Sequence, residues 1–170
     1  IIFPIIFFYT PVFKNIPILG NLVISFILAS IFLFVQLLII NTIIDYSLFI
    51  LAFSFSFIRE IGKDMGDIKG DKFAQIKTFP VLYNLKKSMY LVYLFTFLTI
   101  AISLWIFFKN EYNYIYLTSL IIAVYTPLFI SIFSLQKSLT IHTANQFSKI
   151  TKGITVTGML TILLLEINIF

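Results

Sequence analysis

The chain has 170 residues, of which 60% are hydrophobic, 18% aromatic and 11% charged, with a net charge of +5. A soluble domain carries about 25% charged residues; this deficit, with a mean hydropathy of +1.04, excludes a soluble globular enzyme, a disordered tail and a nucleic-acid binder. The absence of cysteine excludes disulfides, thiolate catalysis and iron–sulfur or zinc–thiolate sites.

Such a chain needs a bilayer as solvent, and its length fits about five membrane spans. Ile1 to Phe8 reads as the tail of a span. Asn21 to Ile40 is the first full one, 20 residues with Ser25, Ser30 and Gln36 as the polar side chains after Asn21. At about 1.5 Å per residue it matches one hydrocarbon thickness. Ile43 to Ile58 is the second, Met89 to Phe108 the third, Tyr114 to Leu135 the fourth and Ile154 to Phe170 the fifth. Phe53-Ser54-Phe55-Ser56-Phe57 alternates as a strand would, but a lone strand in lipid leaves its backbone unpaired, so it is read as helix. Its serines suit close approach by a neighbouring helix. Pro127, inside the fourth span, is expected to kink it. The chain starts and ends within apolar runs, which suggests a piece of a longer membrane protein.

Charge orients these spans. Lys14 precedes the first full span. Arg59, Lys63, Lys69, Lys72, Lys77, Lys86 and Lys87 lie between the second and third, and Lys137, Lys149 and Lys152 between the fourth and fifth. These segments share one side, which therefore holds all the Lys and Arg except Lys109. The positive-inside rule makes that side cytoplasmic and the protein multi-pass in the cell membrane, in contact with membrane lipid. Trp105, Tyr112, Tyr114 and Tyr116 then form an aromatic belt at the opposite boundary. His142 falls in a polar cytoplasmic loop, and a lone histidine is not a metal site. Glu166 lies within the last span or at its far end.

Arg59 to Lys87 differs in kind from the rest. It contains Glu60, Asp64, Asp67 and Asp71, four of the seven acids. If the second span continues as a helix at about 100° per residue, all four fall within a stripe about 60° wide. Like charges at this spacing repel and want a counter-charge. A ligand set of oxygens without His or Cys suits Mg²⁺, which takes one or two carboxylates plus substrate phosphates. Lys63, Lys69, Lys72 and Lys77 alternate with the acids and are point charges for phosphate oxygens. Gly62, Gly66 and Gly70 weaken the helix and would permit close backbone approach to a ligand. Two readings remain open on these residues: a metal-bridged diphosphate site, and a solvated loop with self-neutralising charges.

Arg59-Glu60-Ile61, Lys63-Asp64, Asp67-x-x-x-Asp71 with Gly70, and Lys77-Thr78-Phe79-Pro80 together resemble the second aspartate-rich motif of the UbiA family of membrane prenyltransferases. The form is most similar to the branch that makes digeranylgeranylglyceryl phosphate. Tyr9-Thr10-Pro11-Val12-Phe13-Lys14, followed by Gly20-Asn21, resembles the family's tyrosine–lysine stretch and the start of its next helix. Thr10 and Phe13 stand where Ser and Leu are usual.

The resemblance implies an all-α, multi-pass transmembrane helix bundle around a central cavity. This chain would be the C-terminal part of a single nine-helix prenyltransferase domain, from the end of the fourth helix to the ninth. The first aspartate motif of the family has no counterpart in the chain. The implied function is Mg²⁺-dependent transfer of a prenyl group from a prenyl diphosphate to a lipophilic acceptor. The best fit is geranylgeranylglyceryl phosphate, with an aromatic ring acceptor as the alternative. The implied metal ligands are Asp64, Asp67 and Asp71, with Asp67 and Asp71 central to catalysis. Lys14, Arg59, Lys63 and Lys77 would bind the diphosphate. Tyr9 would stabilise the allylic cation through its ring or contact the diphosphate. A cation transporter fragment is the competing class, but it would place its acids near mid-bilayer on broken helices. Here they sit at one cytoplasmic edge among lysines.

Overall fold

The computed structural model describes residues 15–39, 45–110 and 112–167, with residues 39 and 163–167 described by their backbone alone. Within these residues every regular element is helical. They are α1 (Leu19–Ile39), α2 (Ser47–Phe73), α3 (Phe79–Lys109), α4 (Tyr114–Leu120), a π-helical turn (Ile121–Tyr125), α5 (Thr126–Lys137) and α6 (Ile141–Ile167). The stretches Leu19–Leu38, Phe79–Lys109 and Tyr114–Lys137 are each long and apolar enough to cross a membrane. The other two expected spans belong to longer helices, α2 and α6, which join an apolar half to a polar one. His142 therefore sits on the first turn of α6, not in a loop: the polar run that suggested a loop is the solvent-facing start of a helix.

α2 is the hub, packing against α1, α3 and α6. Phe57, Ile58, Ile61 and Met65 are buried along it and belong to one core with Met89 and Val92 of α3, Leu128 and Leu135 of α5, and Phe147 of α6. Phe57 stacks on Phe95 with ring centroids 4.0 Å apart. The buried Ser54 accepts a hydrogen bond from Thr99 at 3.0 Å, so the alternating Phe–Ser run is helical and its serine does meet a neighbouring helix. Phe34, Phe97, Phe108 and Phe133 face outward, where lipid takes the place of a packing partner.

Pro127 does interrupt its span, and the π-helical turn just before it is the form of the interruption. Proline has no N–H for the carbonyl four residues back, and its ring crowds that carbonyl. The carbonyl is that of Ala123, and it accepts from the Thr157 hydroxyl of α6 at 2.8 Å. The Thr126 hydroxyl takes the Ile121 carbonyl at 2.8 Å. The Ile121 carbonyl also accepts the Thr126 N–H, so it is the Thr157 hydroxyl that takes the place of the N–H proline lacks.

The end of the bundle away from the aspartates is tied by Gln36, whose amide both donates to and accepts from the Asp45 backbone at 2.9 Å. The Ser47 hydroxyl donates to the Asp45 carboxylate, and Lys109 pairs with it at 3.5 Å. Trp105 and Tyr114 are exposed at this end, as a belt requires. Tyr116 is not part of that belt: it turns inward, is buried, and stacks edge-on with Tyr112.

Candidate active site

α2 runs without a break from its apolar half through Arg59, Glu60, Lys63, Asp64, Asp67 and Asp71. Three glycines at four-residue spacing do not stop it, because two of them are packing positions. A side chain at Gly62 would lie 2.5 Å from the Phe147 ring, and one at Gly66 would collide with Asn145. Both contacts are to α6, so the close approach these glycines permit is to a helix and not to a ligand. Gly70 has open space where a side chain would be.

The carboxylate stripe divides at its edge. Glu60, Asp64 and Asp71 are buried, whereas Asp67 is exposed. Asp64 lies beyond the apolar part of α2 and accepts from the Asn21 amide of α1 at 2.7 Å. Burial pushes its pKa up to about 6, with the Asn21 hydrogen bond opposing and the negative charges of Asp71 and Glu60 adding to the rise. Glu60 pairs with its neighbour Arg59, and Lys63 lies 3.7 Å from its other oxygen.

Asp71 is set by the turn that ends α2. The Ile76 N–H donates to the Asp71 carbonyl at 2.8 Å and the Gln75 N–H to the Lys72 carbonyl at 3.2 Å. This is a Schellman closure, with Gln75 at φ 57° where glycine is usual. It turns the chain back so that the Thr78 hydroxyl donates to the Asp71 carboxylate at 3.1 Å. Thr78 precedes α3 as its N-cap residue, yet its side chain makes no capping bond; it serves Asp71 instead. Pro80 then opens α3 in the first turn, where its missing N–H costs nothing.

On the N-terminal side of these acids along α2 lies an apolar cavity of about 360 Å³, lined by residues from α1, α2, α3, α4, the π-helical turn and α6. Its cationic lining residues are Arg59 and Lys152. Tyr116, Tyr125 and Ser103 line it as well, with the Tyr125 hydroxyl against the Ser103 hydroxyl.

Among the expected site residues, the structure brings Asp64, Asp71, Asp67 and Lys63 to one end of the bundle. It places Arg59 on the cavity wall and leaves Lys77 exposed beside Thr78. Tyr9 and Lys14 lie outside the described residues, as does the side chain of Glu166. Among the described residues no three acids or histidines converge on a point that would hold a metal. Asn21, Thr78 and Lys152 are additional to the expected roles. In the sequence Asn21 and Thr78 belong to the stretches that carry the family resemblance without a role of their own, and Lys152 counts only toward the charge distribution.

A helical bundle with membrane-spanning helices, an acid-rich end and an apolar cavity defines an integral membrane protein. The UbiA prenyltransferase family matches residues 1–150. The chain belongs to that family. It is 32% identical over 160 residues to a digeranylgeranylglyceryl phosphate synthase of Methanobrevibacter smithii, covering 92% of this chain and 54% of that protein. It is 36% identical over 116 residues to one of Methanosarcina mazei, covering 66% of this chain and 40% of that protein. A solved structure concerning digeranylgeranylglyceryl phosphate synthase in membranes superposes with a TM-score of 0.84 at 27% identity, over 97% of this chain and 58% of that one. The chain thus spans about half the length of these relatives.

Proposed function

We propose that the protein carrying this chain transfers a geranylgeranyl group from its diphosphate to the hydroxyl of geranylgeranylglyceryl phosphate. The observation that carries this reading is the pairing of an acid-rich mouth with an apolar cavity beneath it, on the cytoplasmic side by the lysine distribution. Nine helices in one domain, with this chain as its C-terminal portion, fit the share of the relatives it covers.

The donor set fits magnesium: hard oxygen ligands, one of them exposed and one fixed by a threonine, on adjacent turns of a helix. Such a pair leaves the remaining positions to water and substrate phosphate, which is how Mg²⁺ is usually bound. Asp67 and Asp71 would hold it, with Asp64 behind them; when bound, it neutralises charge on the leaving diphosphate. Lys63 and Lys77 add positive charge at the same end, as would Lys14, and Tyr9 would stabilise the allylic cation through its ring or contact the diphosphate. The Asn21 and Thr78 hydrogen bonds fix two carboxylates before substrate arrives, so little reorganisation is needed during reaction. The apolar cavity holds the prenyl chain and excludes water from the allylic centre. The C1–O bond to the diphosphate breaks with its electron pair on the diphosphate. The acceptor hydroxyl forms the new C1–O bond, and its proton leaves with the diphosphate.

The test is the full-length protein in membranes with geranylgeranyl diphosphate, geranylgeranylglyceryl phosphate and Mg²⁺. Product that requires Mg²⁺ and Asp67 is expected. Transfer to an aromatic acceptor in its place, or Mg²⁺ flux without transfer, would overturn the reading.

A further inference from the structure

Arg59 and Lys152 project from two packed helices, α2 and α6, onto the wall of one cavity. Ser56, one turn from Arg59, and Thr155, one turn from Lys152, line the same cavity. No Asp or Glu is among the described residues that line it. Glu60 pairs with Arg59, but Lys152 has no ion-pair partner among the described residues. Arg59 is partly buried and Lys152 exposed, and with the Ser56 and Thr155 hydroxyls they present positive charge and hydrogen-bond donors on the wall of a largely apolar cavity, a combination that suits an anion.

The anion of the donor is accounted for elsewhere. Asp67 lies eight residues beyond Arg59 on the same unbroken helix, about 12 Å along the axis. Side chains on a helix all lean toward its N-terminus, so this offset is kept between their ends. A diphosphate held at Asp67 and Asp71 therefore leaves the Arg59–Lys152 pair to a second phosphate, nearer the apolar cavity.

Resting on the function proposed above, we infer that Arg59 and Lys152, with Ser56 and Thr155, form the subsite for the phosphate of the acceptor lipid. A glyceryl phosphate with one prenyl ether has one hydroxyl left, on the same three-carbon unit as its phosphate. Anchoring the phosphate on the cavity side of the metal-bearing carboxylates places that hydroxyl at the donor's C1, where the allylic chain leaves the mouth for the cavity. The subsite also selects: a neutral alcohol or a quinone ring offers these cations no charge to pair with and gains nothing from them.

Lys152 is the residue to test, since Arg59 is tied to Glu60. In the full-length protein, Lys152→Met should raise KM for geranylgeranylglyceryl phosphate about tenfold and leave KM for geranylgeranyl diphosphate within about twofold, as loss of one charge-assisted phosphate contact requires. The preference for that acceptor over geranylgeranylglycerol, its neutral counterpart, should fall by the same factor. Lys152→Arg should restore most of the affinity. Binding of the acceptor to solubilised protein without donor, measured by calorimetry, gives a readout independent of turnover and of partial loss of folded protein. A rise in the donor's KM equal to the acceptor's would assign the pair to the diphosphate and overturn the subsite. Unchanged KM and Kd for the acceptor would make Lys152 an interface lysine and overturn it too. If the wild-type protein transfers to neither glycerol lipid, the proposed function and the subsite fall together; if it transfers and the variant is unaltered, the subsite alone falls.

Discussion

The polar half of α2 has two faces, and they follow opposite rules. One is packed and wraps more than half of the helix: Gly62 and Gly66 meet α6, Asp64, about half a turn round from them, meets Asn21 of α1, and Asp71 meets Thr78. The other carries Lys63, Asp67 and Gly70, and is open. Asp67 and Asp71 are one helical turn apart and chemically identical. Asp71 is held by Thr78, whereas Asp67 is exposed. A carboxylate stripe on a helix is therefore not one set of equivalent members: its buried acids are matched to neighbouring side chains, and Asp67 is exposed.

The largest effect should come from removing charge on either face. Asp67→Asn and Asp71→Asn in the full-length protein should each lower prenyl transfer by about a hundredfold or more, the scale seen when one electrostatic partner of a transition state is lost. Alanine separates the faces. Asp71→Ala strands the buried Thr78 hydroxyl and should cost about 1–3 kcal/mol of stability, whereas Asp67→Ala, exposed, should stay within about 0.5 kcal/mol. Melting curves of the solubilised variants measure this. Equal losses would erase the distinction between the faces, and near wild-type turnover by both asparagine variants at limiting Mg²⁺ would remove the metal site.

The glycines sharpen the same contrast. Gly62→Ala pushes a methyl group into the fully buried Phe147 ring and should destabilise by about 1–3 kcal/mol, as overpacking does. Gly70→Ala meets open space and should stabilise by up to about 1 kcal/mol through helix propensity. If both changes moved the melting temperature in the same direction, the packed and open faces would not differ as described.

Much of this was legible in the sequence because it follows from local periodicity. Five apolar stretches, the 11-to-1 bias of lysine and arginine, and the phase of Glu60, Asp64, Asp67 and Asp71 all depend on residues close together in the chain. What was not legible depends on partners far along the chain. Asn21 meets Asp64 across 43 positions and Thr157 meets the Ala123 carbonyl across 34; neither side chain looks unusual where it stands. The glycines at 62 and 66 were misassigned to ligand approach for the same reason, since the helix that needs them, α6, starts in a run too polar to read as a packing element. Lys152 gave no signal, because a lysine near a span end is ordinarily an interface residue.

The smallest expected effect tests the turn that joins the two faces' chemistry. Gln75 adopts φ 57°, the left-handed region, at the position after the α2 cap where Schellman closures favour glycine. For a residue with a Cβ that conformation costs about 1–2 kcal/mol. Glycine removes the cost but gives the unfolded chain more freedom, which takes back about 0.5–1 kcal/mol. Gln75→Gly should therefore raise stability by about 0.5–1 kcal/mol net. The Ile76 and Gln75 amide hydrogen bonds that hold the closure are made by backbone and survive the change. Thr78 should thus still reach Asp71, and turnover should be unaltered while the melting temperature rises. A lower melting temperature would mean that the Gln75 side chain contributes contacts that outweigh its backbone strain. A rise in melting temperature with loss of turnover would mean that the strained turn positions Asp71 more tightly than its hydrogen bonds alone, and that the buried face of α2 reaches its working geometry through that strain.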